Sequence, residues 1–163
     1  MQVHGTRFGT LTFGEEELIY LADGLLGFDQ SKRFLLFPYA ENSAFFWLQS
    51  VDEPGVAFIV INPFEFFVNL DLTISDADTE CIGLERAEDV EVFSLVNVPD
   101  DQPEAVRTNL AAPVVVNVCN RQGRQILLKE YSARQPLIPM EMRRGVKERA
   151  MRGYVPQQLA AAV

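Results

Sequence analysis

AFFWLQSVDEPGVAFIVINPFEFF, residues Ala44–Phe67, decides how the chain folds. Seven of its side chains are aromatic (Phe45, Phe46, Trp47, Phe58, Phe64, Phe66, Phe67), against 12 Phe, 4 Tyr and 1 Trp in all 163 residues. Its centre, VAFIVI (Val56–Ile61), is apolar at every position. Strand alternation puts Val56, Phe58 and Val60 on one face and Ala57, Ile59 and Ile61 on the other. In AFFWLQSV, Phe45, Trp47 and Gln49 share one face, and Phe46, Leu48 and Ser50 the other. A strand apolar on both faces has to be covered on both. One face suits a barrel interior; the other requires a helix, a loop or another protein. Most of these rings are expected in the core. The NPFEFF run differs, because Pro63 removes a ladder donor and marks an edge or a bulge. Phe64, Phe66 and Phe67, with Asn62 and Pro63 setting the bend, are therefore the candidate partner surface.

Working outward, short strands recur along most of the chain. VHGTRFGTLTF reads as two strands joined near Gly9, and ELIYLADGLLGF as a strand ending in a glycine turn at Asp23-Gly24. RFLLFPY, AFFWLQSV and VAFIVINPF follow, separated by AENS and DEPG, both with turn chemistry. DVEVFSLVNVP, AVRTNLAAPVVVNVCN and GRQILLKEY supply the rest, with NRQGRQ (Asn120–Gln125) as a hairpin loop holding Gly123. This spacing predicts an all-β sandwich or barrel with eight or more strands and only short helices before residue 130. Val56–Ile61 is expected as a central, buried strand. The exception to the strand pattern is SDADTECIGLERAEDV, where Ser75 caps a short helix with Asp76 and Asp78 in its first turn.

Composition narrows the function. Cys81 and Cys119 lie in unrelated contexts, with no Cys/His cluster for zinc and, as two thiols only, a weak disulfide framework. The first residues carry no basic stretch followed by an apolar run, and no apolar run approaches the roughly 20 residues of a spanning helix. A reducing cytoplasm is the expected location. His4, the one histidine, sits in the first strand and reads as structural. There is no GxSxG, no phosphate loop with its lysine and no dinucleotide fingerprint. DADTE lacks the glycine and the later glutamate of a calcium loop. No catalytic residue, cofactor or metal ligand is assigned. An enzyme with an unrecognised carboxylate site stays open as a rival, with a deep cleft of convergent acids as its mark.

Charge is unevenly spread in a chain of net charge −9. Asp71–Glu104 holds eleven carboxylates and one base, Arg86. Lys129–Arg152 holds seven bases and three acids. An acidic face repels phosphate, which argues against direct nucleic-acid binding. It suits a basic protein partner, or else simply keeps a solvated face soluble.

RFGTLTF, DGLLGFDQSKRFLLFP, FFWLQSVDEPGVAFIVINPFEFF, NLAAPVVVN and RQGRQILL, in this order and spacing, resemble the family of the flagellar assembly factor FliW over about residues 1–137. Leu26 departs from the proline usual in that family's GLPGF turn, and residues 138–163 form a basic C-terminal extension past its usual end. The resemblance implies a small antiparallel β-barrel-like domain and a cytoplasmic binding protein that is not an enzyme. It implies two partners: flagellin and the translational repressor CsrA, a small RNA-binding dimer. On this reading the factor freed by flagellin export captures CsrA and relieves repression of flagellin messenger RNA. The alternative is a dedicated flagellin export chaperone with no role in RNA regulation. Beside the aromatic edge, the acids Asp71, Asp76, Asp78 and Glu80 become the candidates that face the basic partner and oppose RNA.

Nothing in the resemblance accounts for the extension. Helix formers run from Glu141 to Arg152, broken by Gly145, and Met142, Val146 and Ala150 form a narrow apolar stripe. This segment is either a disordered terminus or a basic helix docked on an acidic face, its own or a neighbouring subunit's. Docking predicts that deleting residues 139–163 tightens CsrA binding, most of all at low salt where opposite charges attract over longer range. Titrations at two ionic strengths check this, and equal affinities at both would leave the extension without that role.

Overall fold

Alternation along residues 45–61 is resolved by closing the sheet on itself. The computed structural model describes residues 1–138. Gln2–Thr6 (β1) and Gly9–Thr12 (β2) make a hairpin, followed by Leu18–Leu21 (β3), Arg33–Pro38 (β4), Phe45–Ser50 (β5) and Ala57–Ile61 (β6). A helix, Asp76–Cys81 (α1), precedes Val90–Asn97 (β7), Arg107–Thr108 (β8), Val114–Asn117 (β9), Gln122–Gln125 (β10) and Gln135–Pro136 (β11). Strands β3-β4-β5-β6-β7-β9-β10 run in order around a closed seven-strand barrel. The eight-residue β7 makes closure possible. Its first half pairs with β9, while Ser94, Leu95 and Val96 pair with β6.

The inward set is one face of each strand. Phe46 lies opposite Val60 and Leu48 opposite Phe58, and these pack with Ile19, Leu21, Phe34, Phe93, Val114 and Val116. Phe46 meets Phe93 edge-on at 6.3 Å, and Phe28 meets Phe58 edge-on at 4.9 Å. The outward set is covered by the chain itself. The β1–β2 hairpin brings Val3 and Phe13 onto Leu18 and Leu35, sets Phe8 edge-on to Phe37 and Trp47, and lays the Arg7 guanidinium 4.3 Å over the Trp47 ring. On the far side Leu72, Ile74, Ile82 and Leu84 cover Val92, Val115, Ile126 and Leu128. Ser75 caps α1 as its position predicts, its hydroxyl accepting the Asp78 N–H at 3.1 Å.

Three expectations change. Val56 precedes β6, and burial along that strand is complete only at Val60 and Ile61; Ala57, Phe58 and Ile59 are half-buried. The turn before β10 falls on Val118, Cys119 and Asn120, with Arg121 left-handed at φ 63°, so Gly123 lies within a strand. Glycine is needed there for close approach: a Cβ would come within 2.7 Å of the Leu21 side chain and 2.9 Å of the Val115 carbonyl. The strand expected over Gly123–Tyr131 ends at Gln125, although Ile126 and Leu128 still donate backbone bonds to Pro113 and Ala111. The mainly antiparallel barrel is as expected, with one seam apart: among the described residues β10 runs parallel to β3. The extension over residues 139–163 lies outside the described residues.

The DEPG turn is clamped from within. The carboxamide nitrogen of buried Gln49 donates to the Ser50 and Pro54 carbonyls at 2.8 and 2.9 Å. Asp52 accepts the backbone N–H groups of Lys32 and Arg33 at 2.8 Å each, and Arg33 Nε and Nη2 both reach its Oδ1 at 2.8 Å. Burial pushes the Asp52 carboxyl up, but these donors and the guanidinium outweigh it and hold the group below its ordinary value. The folded state therefore binds this proton more weakly than the unfolded chain. The stabilisation is fully present above the unfolded pKa of about 3.9 and is lost as pH falls through the folded value. Asp52→Ala is expected to cost about 1–3 kcal/mol at neutral pH. Urea melts over a pH series check it: the deficit should shrink below about pH 4.

Candidate partner-binding surface

Pro63 ends the β6 ladder and the chain turns outward. Asn62 Oδ1 accepts the Phe64 N–H at 3.0 Å, and a single 3-10 turn spans Pro63–Glu65. The Phe66 and Phe67 N–H groups then both donate to the Pro63 carbonyl, at 3.1 and 3.0 Å. Pro63 itself is buried, so the turn is rooted in the wall. What it displays is apolar: Phe64 is 44% exposed, Phe66 36% and Val68 98%. Beyond it, Phe66, Phe67, Val68 and Leu70 join Leu110 and Gln135 around a shallow groove of about 330 Å³. Glu65 and Asp71 are exposed at its two ends of sequence. Asp71 is fixed by its backbone, whose N–H donates to the Tyr131 hydroxyl at 3.1 Å.

The rings expected to act together thus do lie together, with different roles. Phe66 packs edge-on against buried Phe45, centroids 6.0 Å apart, so it also covers the wall. Among the described residues Phe64 makes no such ring contact. The sequence reading missed Val68, Leu70, Leu110 and Gln135. An apolar residue three positions beyond a proline-made turn was the available signal for Val68; the approach of Leu110 and Gln135 is tertiary and leaves no local trace.

The four candidate acids divide. Asp71 follows Leu70 of the aromatic groove in sequence without lining it, and no residue of α1 lines it either. On α1, Asp76 and Glu80 are exposed. Asp78 is engaged, accepting from the Ser75 hydroxyl at 2.8 Å and lying 3.3 Å from Arg124 Nε. Arg124 also reaches Asp23 at 3.6 Å and donates to Cys81 Sγ at 2.7 Å. Desolvation and the Asp89 carboxylate both push the Cys119 thiol up, while the Arg86 guanidinium beside Asp89 holds that carboxyl low. His4 faces Thr10 on the exposed hairpin at 3.0 Å. Among the described residues no three His, Cys, Asp or Glu side chains group as a metal site, and no helix is long and apolar enough to cross a membrane.

Comparison with known proteins gives a consistent picture. The family model described as "FliW protein" matches residues 2–137. The flagellar assembly factor FliW of Magnetococcus marinus is 63% identical over 150 residues, covering 92% of this chain and 93% of that protein. The flagellar assembly factor FliW of Caldicellulosiruptor saccharolyticus is 38% identical over 123 residues, 76% and 80% of the two chains. A crystal structure of the flagellar assembly factor FliW superposes with a TM-score of 0.79 at 28% identity, over 86% of this chain and 99% of that one.

The two rings at the turn should separate in a stability measurement. A freely displayed ring at Phe66 would leave the melting temperature nearly unchanged when truncated, but its edge-on pair with Phe45 changes that expectation, and Phe66→Ala is expected to cost roughly 1–2 kcal/mol. Phe64→Ala is expected to stay within about 0.5 kcal/mol of the parent. Urea denaturation of both variants checks the order; equal losses would place both rings in the core.

Proposed function

The chain belongs to the FliW family of flagellar assembly factors, and from that premise we propose that it binds flagellin in the cytoplasm and, when free, binds CsrA and relieves repression of flagellin messenger RNA. It acts by binding, not by catalysis. The observation that carries the flagellin half is the rooted turn that displays Phe64, Phe66 and Val68 beside an apolar groove. An amphipathic helix laid in such a groove buries its apolar face without asking the barrel to move. Flagellin's helical termini, which pack against neighbours in a filament, have that character.

The acidic balance supports the other half. CsrA reads RNA through basic side chains, so an acidic factor seated beside that site opposes phosphate without occupying it. Each like-charge pair across about 10 Å of screened solvent contributes only tenths of a kcal/mol. Several acting together reach the roughly 1–3 kcal/mol of a regulatory coupling. Asp71, Asp76 and Glu80, exposed and not engaged by Arg124, are better placed for this than Asp78.

A competition titration of the purified protein with flagellin and CsrA tests the proposal. Each partner is expected to bind alone, and saturating flagellin to lower the capture of CsrA whether or not the two share contact residues, since a bound flagellin also blocks by its bulk. Phe64→Ala with Val68→Ser is expected to weaken flagellin binding about tenfold or more, since truncated hot-spot side chains cost on the order of 2 kcal/mol. Flagellin binding without any CsrA binding would leave the dedicated export chaperone; no flagellin binding would sink both.

A further inference from the structure

We propose that Leu26 and Leu127 form a second docking surface, distinct from the aromatic groove, which takes a basic protein partner on an aliphatic knob with an acidic rim. This rests on the functional reading above and assigns its basic partner a place.

The knob is built rigidly. The turn after β3 puts two glycines in the left-handed region, Gly24 at φ 67° and Gly27 at φ 82°. At Gly24 a Cβ would also lie 2.6 Å from the Phe28 carbonyl. Between them the chain doubles back, the Phe28 N–H donating to the Leu25 carbonyl at 2.7 Å. Leu25 is buried and Phe28 plugs the barrel against Phe58, so both sides of the turn are anchored in the core. Leu26 is held between these anchors. Its N–H donates to Gln125 Oε1 at 2.8 Å, and Gln125 Nε2 donates to the Ala112 carbonyl at 3.0 Å. The Leu26 side chain is nonetheless 66% exposed, and that of Leu127, beyond the same Gln125, is 71% exposed. Single exposed leucines are ordinary. A pair of them beside a turn tied at both flanks and at its apex is different, because ordering such side chains costs a partner little.

The charges around the pair choose the partner. Leu26 and Leu127 border a depression of about 550 Å³ whose other lining includes Asp23, Asp29 and Arg124. Arg124 is its one cation, and it is shared by Asp78 at 3.3 Å and Asp23 at 3.6 Å. Two lining carboxylates against one guanidinium, itself also engaged by Asp78 from outside the depression, leave the rim negative, and Asp29 has no ion pair with Arg124. A phosphate or an acidic helix is repelled here. A segment presenting an aliphatic side chain between Lys or Arg residues is complementary to both the knob and the rim.

The test compares CsrA and flagellin binding to the full chain for three variants, with melting temperatures, at low and high salt. Leu26→Ala with Leu127→Ala is expected to lose about tenfold or more in CsrA affinity, the scale of unburying aliphatic side chains. Asp23→Asn with Asp29→Asn is expected to slow CsrA association and flatten its salt dependence. Leu26→Lys, which keeps the turn and adds a like charge, should weaken CsrA further, with flagellin binding and melting temperature unchanged throughout. If the parent protein fails to bind CsrA at all, the functional reading falls. If the parent binds and the leucine variants bind equally well, this surface alone is wrong; so it is if they lose flagellin instead, or if they change the protein's self-association.

Discussion

A barrel wall that is apolar on both faces sets the terms for the rest of the molecule. β5 and β6 fill the interior with Phe46, Leu48, Phe58 and Val60, and the same strands turn Phe45, Trp47, Ile59 and Ile61 outward. Those outward rings have to be removed from water by something other than the barrel. The chain supplies two covers. The β1–β2 hairpin lies over β3, β4 and β5, and the run Leu72–Leu84 lies over β7, β9 and the residues that follow β10. Between them the outer wall at Phe45 is closed by the ring of Phe66. The exposed aromatic turn is thus continuous with the covering layer, and its display of Phe64 and Val68 is the place where that layer ends.

Closure depends on a contact between backbones. β10 approaches β3 in parallel, with Gly123 opposite Leu21 and Tyr20 opposite Gln122. Any side chain at Gly123 would strike Leu21 and the Val115 carbonyl. The same seam places Gln125 and Arg124 beside the Leu26 turn, so the pairing that completes the barrel also positions the acid-rimmed depression. Arg124 then reaches Asp78 on α1, at the end of the segment that began with the aromatic turn. The guanidinium thus ties the acid-rimmed depression to α1, within the covering segment that follows the aromatic turn.

How far this was legible in the sequence follows from which signals are local. Alternation in FFWLQS and AFIVI, turn residues in AENS and DEPG, and the cap at Ser75 all act within a few residues, and each took the expected form. Pro63 marked the end of β6 because a missing N–H is a local fact. Gly123 misled because glycine serves two purposes. It relieves a turn, and it lets two backbones approach; only the tertiary structure distinguishes them. The parallel seam was illegible for the same reason, since β3 and β10 are about a hundred residues apart in sequence. Acidity was equally ambiguous: Asp71, Asp76, Asp78 and Glu80 read alike, yet Asp78 is engaged by Ser75 and Arg124 while Asp76 and Glu80 face solvent.

The carboxylates show why net charge alone does not locate a site. Asp52 receives two backbone N–H groups and a guanidinium, and Asp89 is paired with Arg86, so both are spent on holding turns. A carboxylate already satisfied by donors offers a partner little field, because its charge is compensated at close range. Those that remain are exposed and sit on rigid supports: Asp71 on a backbone tied to Tyr131, Asp29 next to the anchored Phe28. Charge held at a fixed distance from a protruding apolar side chain defines a direction as well as a sign. On the proposed reading, that combination would select among basic partners by geometry, where a solvated acidic face would attract all of them alike.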